Sequence, residues 1–507
     1  MKKKVFSSIL ALTMVLSMVG CGQKEQESVS NHTDTQKESK VEVENSKNEE
    51  VPTLKFYMIN DPQTDLEAVV DAANEILVEE VGCEIDLVFV DGASYNEKMT
   101  MAMASGEAFD LIWVGYALPM ADAAEKGGLM PLDDLLETTP ALVDAISDAY
   151  WAASTYDGHT YAVGCQQIIA QNSGIMVPKE LAEKYELDID SINKLVDIEP
   201  FLQTLVENEP DIYPFRATDF DRIGFMFDLE ASDYWHSCAI TEGVYFQEKE
   251  DGTYRILSVL DEEFSKEDLA RARQVYDWYQ KGYIRSDVAS VLDDTQERVA
   301  GKYGAWVAVN KPGVEGEYLA SLGYECVAIP YNLARVGIND ARTTMISIGA
   351  NSRYPELAIK VIEQLHTNVE LYNILVYGLE GKHYERIDEN YISKIADSGY
   401  SNSAWKMGTV FNAYLTEGQP LDLHSKTKQM NEESYVTPLQ GFVFDNSAVK
   451  TEIAQVKTVA DEYKFLNNGS KNPDEYWDEY VGKMKQAGLE KVYNEVVRQV
   501  EEFLNNK

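Results

Sequence analysis

Histidine and cysteine are scarce in this chain, which has only six histidines and five cysteines in 507 residues. Cys83, Cys165, Cys238 and Cys326 are far apart and form no CxxC pair, so zinc ribbons and dithiol redox motifs are disfavoured. We interpret these four as mostly buried small apolar residues. HExxH is absent, and no GxGxxG or GxxxxGKS stretch supports a nucleotide-binding fold. The sequence therefore predicts a protein without a metal or another cofactor.

Positive charge is also in short supply. The chain has 44 Lys and Arg against 86 Asp and Glu, which gives a formal net charge of −42. Nucleic acids and anionic lipid surfaces are bound through clusters of basic residues, so the acidic surface should repel both. The folded part, about 455 residues, exceeds the length that one hydrophobic core usually supports, so two domains are expected.

Long apolar runs are lacking except at the N-terminus. Three lysines at positions 2–4 precede an apolar run from Val5 to Val19, which is shorter than the roughly 20 residues of a membrane-spanning helix. The run ends in Met18-Val-Gly-Cys21, which resembles a bacterial lipobox and implies cleavage before Cys21 and lipid attachment to its sulfur. Residues 1–20 are therefore interpreted as a lipoprotein signal peptide. The alternative is an ordinary secretory signal with an incidental cysteine.

The next stretch has too little apolar area to fold. Residues 22–52 contain no aromatic residue and no Leu, Ile or Met. Such a segment cannot offset its chain entropy by burial. We therefore predict that residues 21–52 are a lipidated cysteine followed by a disordered tether, which would anchor the mature protein at the extracellular face of the bacterial cytoplasmic membrane.

Strands and helices alternate after the tether. Thr53–Ile59, Cys83–Val90 and Leu111–Val114 are apolar, β-prone runs, and two helical patterns separate them, Leu66–Val81 and Tyr95–Ala104. A β-α-β-α-β order at this spacing predicts a parallel sheet with right-handed crossovers and an α/β fold. Ligands of such sheets collect beyond the carboxyl ends of the strands.

The segment GLEGKHYE at 378–385 crowds carboxylates, a histidine and a tyrosine together. Glu380 and His383 have the spacing of two metal ligands on one helix face. Gly381 lies between them, however, and no second Glu-x-x-His is present, so a metal site is disfavoured. Two interpretations stay open for the end of the predicted helix Pro355–Tyr377: groups that bind ligand hydroxyls, or an internally bonded elbow.

Several motifs follow one another in an order that resembles a known family. The chain is similar to the extracellular solute-binding proteins of bacterial ABC transporters, of the carbohydrate-binding family 1 type. The motifs are ASGEAFDLIWVG, GGLMPLDDLL, TYDGHTYAVGCQQ, SGIMVPKELAEKY, GKYGAWVAV at 301–309 and ISIGANSRYPELAIKVIEQL at 346–365. LQGFVFDNSAVKTEIAQV and AGLEKVYNEVVRQVEEFL resemble the extended C-terminal region of a subgroup of larger lipoproteins.

The resemblance implies a two-lobed, periplasmic-binding-protein-like fold of type II, with hinge crossings and extra C-terminal helices. The crossings are predicted near Val163–Gln166, near Tyr331–Thr343 and within Asp388–Trp405. Gly164 suits a hinge because glycine permits unusual backbone torsions, although a simple turn is equally consistent. The first lobe is then built from 53–163 and about 341–395, and the second from 164–335 and about 400–507.

Aromatic and amide side chains are the candidate ligand contacts. The chain has 30 Tyr and 7 Trp, whose apolar faces and polar edges suit sugar rings. Each candidate could equally serve in core packing. By position, the predicted ligand-binding residues are Trp113, Tyr116, Gln166, Gln167, Trp235, Trp306, Trp405, Glu380 and His383.

These observations predict a lipid-anchored solute receptor that captures a sugar or oligosaccharide between its lobes and delivers it to an ABC permease. No covalent chemistry is expected, and the protein should be a monomer that contacts the membrane through its lipid only. Two alternatives stay open. One is a surface lipoprotein enzyme such as a glycosidase, which would need two carboxylates about 5 to 10 Å apart. The other is a receptor for a peptide or another solute.

Overall fold

The structure, a computed structural model, describes residues 51–217, 236–249, 251–331 and 333–506. The predicted signal peptide, Cys21, nearly all of the predicted tether and Trp235 lie outside these residues. Within the described ranges, no helix combines the length and the apolar character that a membrane crossing needs.

The first part of the chain builds a sheet flanked by helices. Its elements are β1 (Thr53–Ile59), α1 (Leu66–Glu80), β2 (Glu84–Val90), α2 (Tyr95–Ser105), β3 (Leu111–Gly115), α3 (Met120–Glu125), α4 (Asp133–Leu136), α5 (Pro140–Ala145), α6 (Asp148–Ala153), β4 (Thr155–Tyr156), β5 (His159–Thr160) and β6 (Ala162–Gly164). β1 pairs in parallel with β2 and with β3. The predicted β-α-β-α-β order and parallel sheet are thereby confirmed.

The second part contains two further sheets. Its elements are β7 (Ala170–Pro178), α7 (Lys179–Lys184), α8 (Glu199–Asn208), β8 (Tyr213–Arg216), β9 (His236–Thr241), β10 (Val244–Glu248), β11 (Tyr254–Leu257), α9 (Glu262–Gln280), α10 (Thr295–Val299), β12 (Tyr303–Asn310), α11 (Val314–Leu322) and β13 (Cys326–Pro330). β7 lies at the centre of one sheet, between β12 and β13, and both neighbours are antiparallel to it. β9, β10 and β11 form an antiparallel meander.

The last part returns to the first sheet and then adds helices. Its elements are β14 (Arg335–Val336), β15 (Thr344–Ile348), α12 (Pro355–Thr367), α13 (Val369–Tyr377), β16 (Tyr384–Arg386), β17 (Tyr391–Lys394), β18 (Leu415–Thr416), α14 (Leu423–Glu433), β19 (Tyr435–Val436), α15 (Lys450–Glu462), α16 (Phe465–Asn468), α17 (Trp477–Gln486) and α18 (Leu489–Asn505). β15 inserts antiparallel between β3 and β6, which gives the order β2-β1-β3-β15-β6.

The buried apolar residues separate into clusters that define two lobes. One large cluster surrounds the sheet of β1, β2, β3, β15 and β6 and forms the first lobe. In the second lobe, one cluster lies on the sheet of β7, β8 and β12, and another joins β10 and β11 to the C-terminal helices. The two-lobed α/β fold with extra C-terminal helices is therefore present.

Three chain segments pass between the lobes. The first links β6 to β7, the second links β14 to β15, and the third runs through α14 to β19, which pairs with β14. The third crossing differs from the predicted segment Asp388–Trp405, because Tyr400 and Met407 still lie in the core of the first lobe. The Tyr400 hydroxyl donates to Leu375 O at 2.6 Å, which holds this part of the chain against α13.

Asn431 joins the third crossing to the first. Its Oδ1 accepts hydrogen bonds from Ile169 N at 2.9 Å and Ala170 N at 3.0 Å, and its Nδ2 donates to Gln167 O at 2.7 Å. One side chain on α14 therefore satisfies three backbone groups of the β6–β7 crossing. Backbone N–H and C=O groups need hydrogen-bond partners when they are partly buried.

The predicted single helix Pro355–Tyr377 is wrong, because the structure divides it into α12 and α13 at Asn368. Asn368 has φ −100° and ψ 105°, outside the helical region, and its side chain accepts a hydrogen bond from Leu371 N. Asparagine is a favoured N-cap because its short side chain replaces a missing backbone acceptor. The apolar period continues across the break, which is why the sequence pattern conceals it.

Glu248, at the end of β10, is a buried carboxylate beside the crossings. It is 1% exposed, and its Oε2 accepts a hydrogen bond from the Thr437 hydroxyl at 3.0 Å. Burial raises the pKa of Glu248 from its ordinary 4.5 to about 7, although Thr437 and the nearby Arg335 favour the charged form.

Glu248 should make stability depend on pH. The folded protein keeps the proton to a higher pH than the unfolded chain, so this group lowers the free energy of unfolding as pH rises from 4.5 to 7. At about 1.4 kcal/mol per pKa unit, the loss is roughly 3 kcal/mol. Glu248→Gln should remove this loss, so the stability advantage of the variant over the wild type should grow as pH rises from 4.5 to 7 and stay constant above pH 7. Urea unfolding at several pH values measures this difference, and parallel pH curves for the two proteins would contradict it.

Candidate functional site

Two aromatic rings lie together at the carboxyl edge of the first sheet. Tyr116 follows the last residue of β3 and is 61% exposed. The ring of the half-buried Trp405 approaches it, with the centroids 6.1 Å apart and the planes tilted by 44°. This pair, Tyr116 and Trp405, is called the aromatic pair below. It occupies the edge at which parallel sheets bind their ligands.

Trp405 is fixed by its neighbours in the short turn Ala404–Lys406. The Tyr372 hydroxyl donates to Ala404 O at 2.7 Å, and Lys406 Nζ donates to Ile59 O, at the end of β1, at 3.2 Å. The Lys406 ammonium also lies 5.4 Å from the centroid of the Trp405 ring. Burial lowers the pKa of Lys406. The turn is thereby attached to both the sheet and α13, so the indole has a defined position.

Trp113 supports the aromatic pair from below and is fully buried. Its Nε1 donates to Thr344 Oγ1 at 2.8 Å, and its ring meets the Tyr116 ring edge-on at 5.2 Å. The Tyr95 hydroxyl donates to Trp113 O at 2.7 Å. The indole presents no face to solvent, so this geometry favours a positioning role for Trp113 over ligand contact.

Trp113→Phe should therefore lower the free energy of unfolding more than it lowers the affinity for ligand. The change removes the indole N–H and leaves the buried Thr344 hydroxyl without its donor, a loss of about 2 kcal/mol. Trp405→Phe is the matched control, because no core hydrogen bond among the described residues involves the Trp405 indole nitrogen, and its ring is half-exposed. Denaturant unfolding together with calorimetry separates the two effects. A normal free energy of unfolding with a large loss of affinity would contradict the positioning role.

Gln166 and Gln167 lie at the first crossing, beside the segment that carries Trp405. Gln166 N donates to Gly408 O at 2.8 Å, and Val410 N donates to Gln166 O at 2.9 Å. The Gln167 side chain donates to Thr343 Oγ1 at 3.2 Å. Both glutamines are half-buried. The structure therefore brings Trp405 and the first crossing together through residues 405–410.

Gly164 needs to be glycine because of close packing. It lies in β6, and a Cβ atom built there would approach the Tyr150 ring to 2.3 Å. The Tyr150 hydroxyl in turn accepts from Gln167 N at 2.8 Å. Glycine is required at this position because the Tyr150 ring packs closely against the crossing. The backbone torsions of Gly164 are not themselves unusual.

Trp306 lies in the core of the second lobe. It is 1% exposed in β12, and its ring meets the Tyr318 ring edge-on at 5.6 Å. No contact among the described residues brings Trp306 near the aromatic pair. Its neighbours in β12 form a continuous apolar run, which explains its burial. Trp235, the other tryptophan predicted for this lobe, lies outside the described residues.

Glu380 and His383 form an elbow after α13. Leu379 N donates to His383 Nδ1 at 2.8 Å, and His383 Nε2 lies 3.1 Å from Asp65 Oδ2. Because Nδ1 accepts, the ring proton is on Nε2 and is donated to Asp65. The exposed Glu380 pairs with Arg386 at 3.2 Å. Both histidine nitrogens are occupied by the protein, which favours the elbow interpretation over a ligand or metal contact.

A cavity of about 1070 Å³ lies between the lobes near the third crossing. Its second-lobe wall comes from β7, from the end of β12 and from α11, and its other wall comes from 387–391 and 417–420. Asn310 Nδ2 donates to Asn172 Oδ1 at 2.9 Å in this wall. The polar lining includes Asn172, Asn310, Lys311, Asp388, Tyr391 and Glu417.

Sequence reasoning missed this cavity. Asn172 and Asn310 meet only because β7 and β12 pair antiparallel, across 138 positions of sequence. The available signal was the turn sequence NKPG at 310–313, which directly follows an apolar strand. Turn residues at the end of a strand are frequent ligand contacts, because loops at strand ends carry polar groups on a rigid frame.

Two α/β lobes that are joined by three crossing segments and have a polar cavity between them define a receptor class that encloses small molecules. The chain belongs to the bacterial extracellular solute-binding protein family, whose model matches residues 60–365. A second model, described as a domain of unknown function (DUF3502), matches residues 438–505, which include α15, α17 and α18. The recognised family is thereby confirmed.

Relatives from Streptococcus pneumoniae resemble the whole chain. A carbohydrate ABC transporter substrate-binding protein is 27% identical over 521 aligned residues, which cover 100% of this chain and 99% of the relative. The crystal structure of the N-glycan transport solute binding protein NgtS is 25% identical, covers 90% of this chain and 99% of its own, and has a TM-score of 0.75. Its complex with Man5GlcNAc is 27% identical over 90% and 99% of the two chains, with a TM-score of 0.61.

Proposed function

We propose that this protein captures an oligosaccharide between its two lobes and delivers it unchanged to an ABC permease. The observation that carries the proposal is the exposed aromatic pair at the carboxyl edge of the first sheet. The similar NgtS supports it, since that protein is named for N-glycan transport and was crystallised with Man5GlcNAc. No catalytic step is proposed, because transport requires that the ligand leave intact.

Stacking and hydrogen bonding would share the recognition. A pyranose ring has apolar C–H faces that pack on Tyr116 and Trp405, while its hydroxyls need amides and carboxylates. We propose that Gln166 supplies an amide beside the pair, while Trp113 and Gln167 hold the neighbouring rings and backbone. The predicted contact of Trp235 remains part of the proposal. Trp306, Glu380 and His383 are assigned to packing and to the elbow.

The ligand would be longer than one sugar. The interlobe cavity of about 1070 Å³ reaches the upper end of the roughly 300–1,000 Å³ that encloses a drug-sized molecule. Its polar walls come from both lobes, so several sugar units could be held when the lobes approach each other.

Calorimetry against a panel of ligands tests the function. The mature protein should bind at least one of Man1GlcNAc, Man5GlcNAc and a malto-oligosaccharide with micromolar or tighter affinity. Oligopeptides should not bind. The bound sugar should be recovered without cleavage after prolonged incubation. Tight peptide binding without sugar binding would reject the sugar assignment, and turnover of the glycan would favour the enzyme alternative.

The lipid anchor is a separate part of the proposal and rests on Cys21 in its lipobox-like context. Cys21→Ala should release the protein from the membrane fraction into the soluble fraction, because the remaining apolar segment is too short for a stable span. Immunoblotting of fractionated cells measures this change, with Cys238→Ser as the matched cysteine control. Retention of Cys21→Ala in the membrane fraction would contradict lipid anchoring.

A further inference from the structure

Residues 437–445 connect β19 to α15 and are called the bridging segment below. Leu439 is fully buried and Phe442 is 5% exposed, and both pack in the cluster that joins β10 and β11 to the C-terminal helices. At the end of the segment, Asp445 N donates to Gln499 Oε1 at 2.9 Å, and Gln499 Nε2 donates to Asp445 O at 2.8 Å. Gln499 lies in α18. The bridging segment is therefore part of the second lobe.

Two successive residues of the bridging segment contact α6 of the first lobe. Gln440 is 6% exposed, and its Nε2 donates to Ala149 O at 3.0 Å. A Cβ atom built on Gly441 would lie 3.2 Å from Ala152 O, so the two backbones approach each other closely. Tyr150, in the same helix, is buried in the core of the first lobe. The contact therefore joins the two lobes at a place outside the three crossings.

Arg342, in the second crossing, completes this contact. Its Nε donates to Ala153 O and its Nη1 donates to Phe442 O, both at 2.9 Å. Ala153 is the last residue of α6, so its carbonyl has no partner within the helix. A guanidinium group donates in several fixed directions and can bond two carbonyls at once. Arg342 therefore ties the end of α6 in the first lobe to a backbone group of the second lobe.

The charge of Arg342 is held in an unusual way. Its described partners are backbone carbonyls, and no carboxylate among the described residues forms an ion pair with it. Burial lowers the pKa of Arg342 from its ordinary 12.5 to about 10, so the group stays charged at neutral pH. A buried charge without an opposite charge is costly. Stability alone does not account for this arginine, whereas its two bonds between the lobes do.

Bonds at two separate points of α6 resist rotation of the lobes. Ala149 and Ala153 are four residues apart, which corresponds to about 6 Å along a helix. Because Leu439 and Phe442 are embedded in the core of the second lobe, a rotation about the crossings would displace the bridging segment along α6. None of these residues lines the interlobe cavity. The contact is therefore separate from the ligand site.

We propose that the bridging segment sets the angle between the two lobes, with Gln440 and Arg342 as the positioning residues. This gives a role to the C-terminal region of residues 438–505, which the model of a domain of unknown function matches. The angle between the lobes decides how far apart the walls of the interlobe cavity lie. The proposal concerns the lobes themselves and does not depend on which molecule the cavity binds.

Double electron–electron resonance between the lobes tests the proposal. Genetically encoded spin-label amino acids replace Glu79 in α1 and Ser321 in α11, which are exposed positions of the first and the second lobe. Gln440→Met keeps the approximate side-chain volume and removes the donor to Ala149 O, so the variant should stay folded. The distribution of interlobe distances should become about twofold wider, because one tie between the lobes is lost. An unchanged distribution in Gln440→Met would overturn the proposal.

Two further variants separate the angle between the lobes from general loosening. Arg342→Met removes the second tie and should widen the distribution further, and if it does not fold, Gln440→Met decides alone. Gln499→Ala is the matched control, because it also removes two hydrogen bonds of the bridging segment, but both partners lie in the second lobe. Its distance distribution should equal that of the wild type. Equal widening in Gln499→Ala and Gln440→Met would overturn the proposal.

Discussion

Trp405→Ala is expected to weaken oligosaccharide binding about 30-fold. A central aromatic contact in a closed binding site is commonly worth about 2 kcal/mol, and each 1.4 kcal/mol is a factor of ten in affinity. The structure gives the loss a definite cause, because Trp405 is held by Tyr372 and Ile59 through its neighbours and pairs with Tyr116 at the sheet edge. Calorimetry with the best ligand of the panel measures the change.

The control uses an aromatic residue with similar exposure outside the site. Tyr116→Ala should also weaken binding, because it removes the other half of the aromatic pair. Tyr354→Ala should not weaken binding, because Tyr354 is an exposed residue outside the site, immediately before the first residue of α12. All three variants should keep the wild-type circular dichroism spectrum. An unchanged affinity of folded Trp405→Ala would show that the pair is not part of the binding site.

Gly408→Ala is expected to destabilise the protein by about 4 kcal/mol. Gly408 has φ +43°, in the left-handed region that side-chained residues rarely adopt, and a Cβ atom there would lie 2.0 Å from Leu365 O. Strained torsions cost about 1–3 kcal/mol and overpacking adds a similar amount. The segment that carries Gly408 cannot move away without breaking the Gln166–Gly408 hydrogen bond, and Leu365 is held within α12.

Urea unfolding measures this loss, and a second glycine provides the comparison. Gly418 also has positive φ, at +89°, but no atom lies within 4 Å of a Cβ built there. Gly418→Ala should therefore show the cost of the torsion alone, about 1 kcal/mol. Equal losses for the two variants would contradict the role given to close packing at Gly408.

The first lobe could be predicted from sequence because its signals are local. β1, β2 and β3 are short apolar runs bounded by helices with clear periods, and parallel pairing follows from their order. The third crossing could not be predicted from the sequence, because the segment between β17 and α14 has short strands and turns with no regular spacing of apolar residues. Its place is decided by distant contacts such as that of Tyr400 with Leu375.

The candidate site was predictable only in part, for a physical reason. Trp113 and Tyr116 are three residues apart, yet one is fully buried and the other largely exposed. β3 is buried at all five positions and Tyr116 follows its last residue, so no alternation of apolar and polar residues shows where the chain reaches solvent. The Asn172–Asn310 pair depends on strand pairing over a long distance, which a single sequence does not reveal.

Small-angle X-ray scattering with and without Man5GlcNAc, or the best ligand found by calorimetry, tests the central claim most directly. If the two lobes close on an oligosaccharide held by the aromatic pair, the radius of gyration should decrease at saturation, and the decrease should require a higher ligand concentration in Trp405→Ala. Saturating binding that leaves the scattering curve unchanged would contradict closure around the ligand.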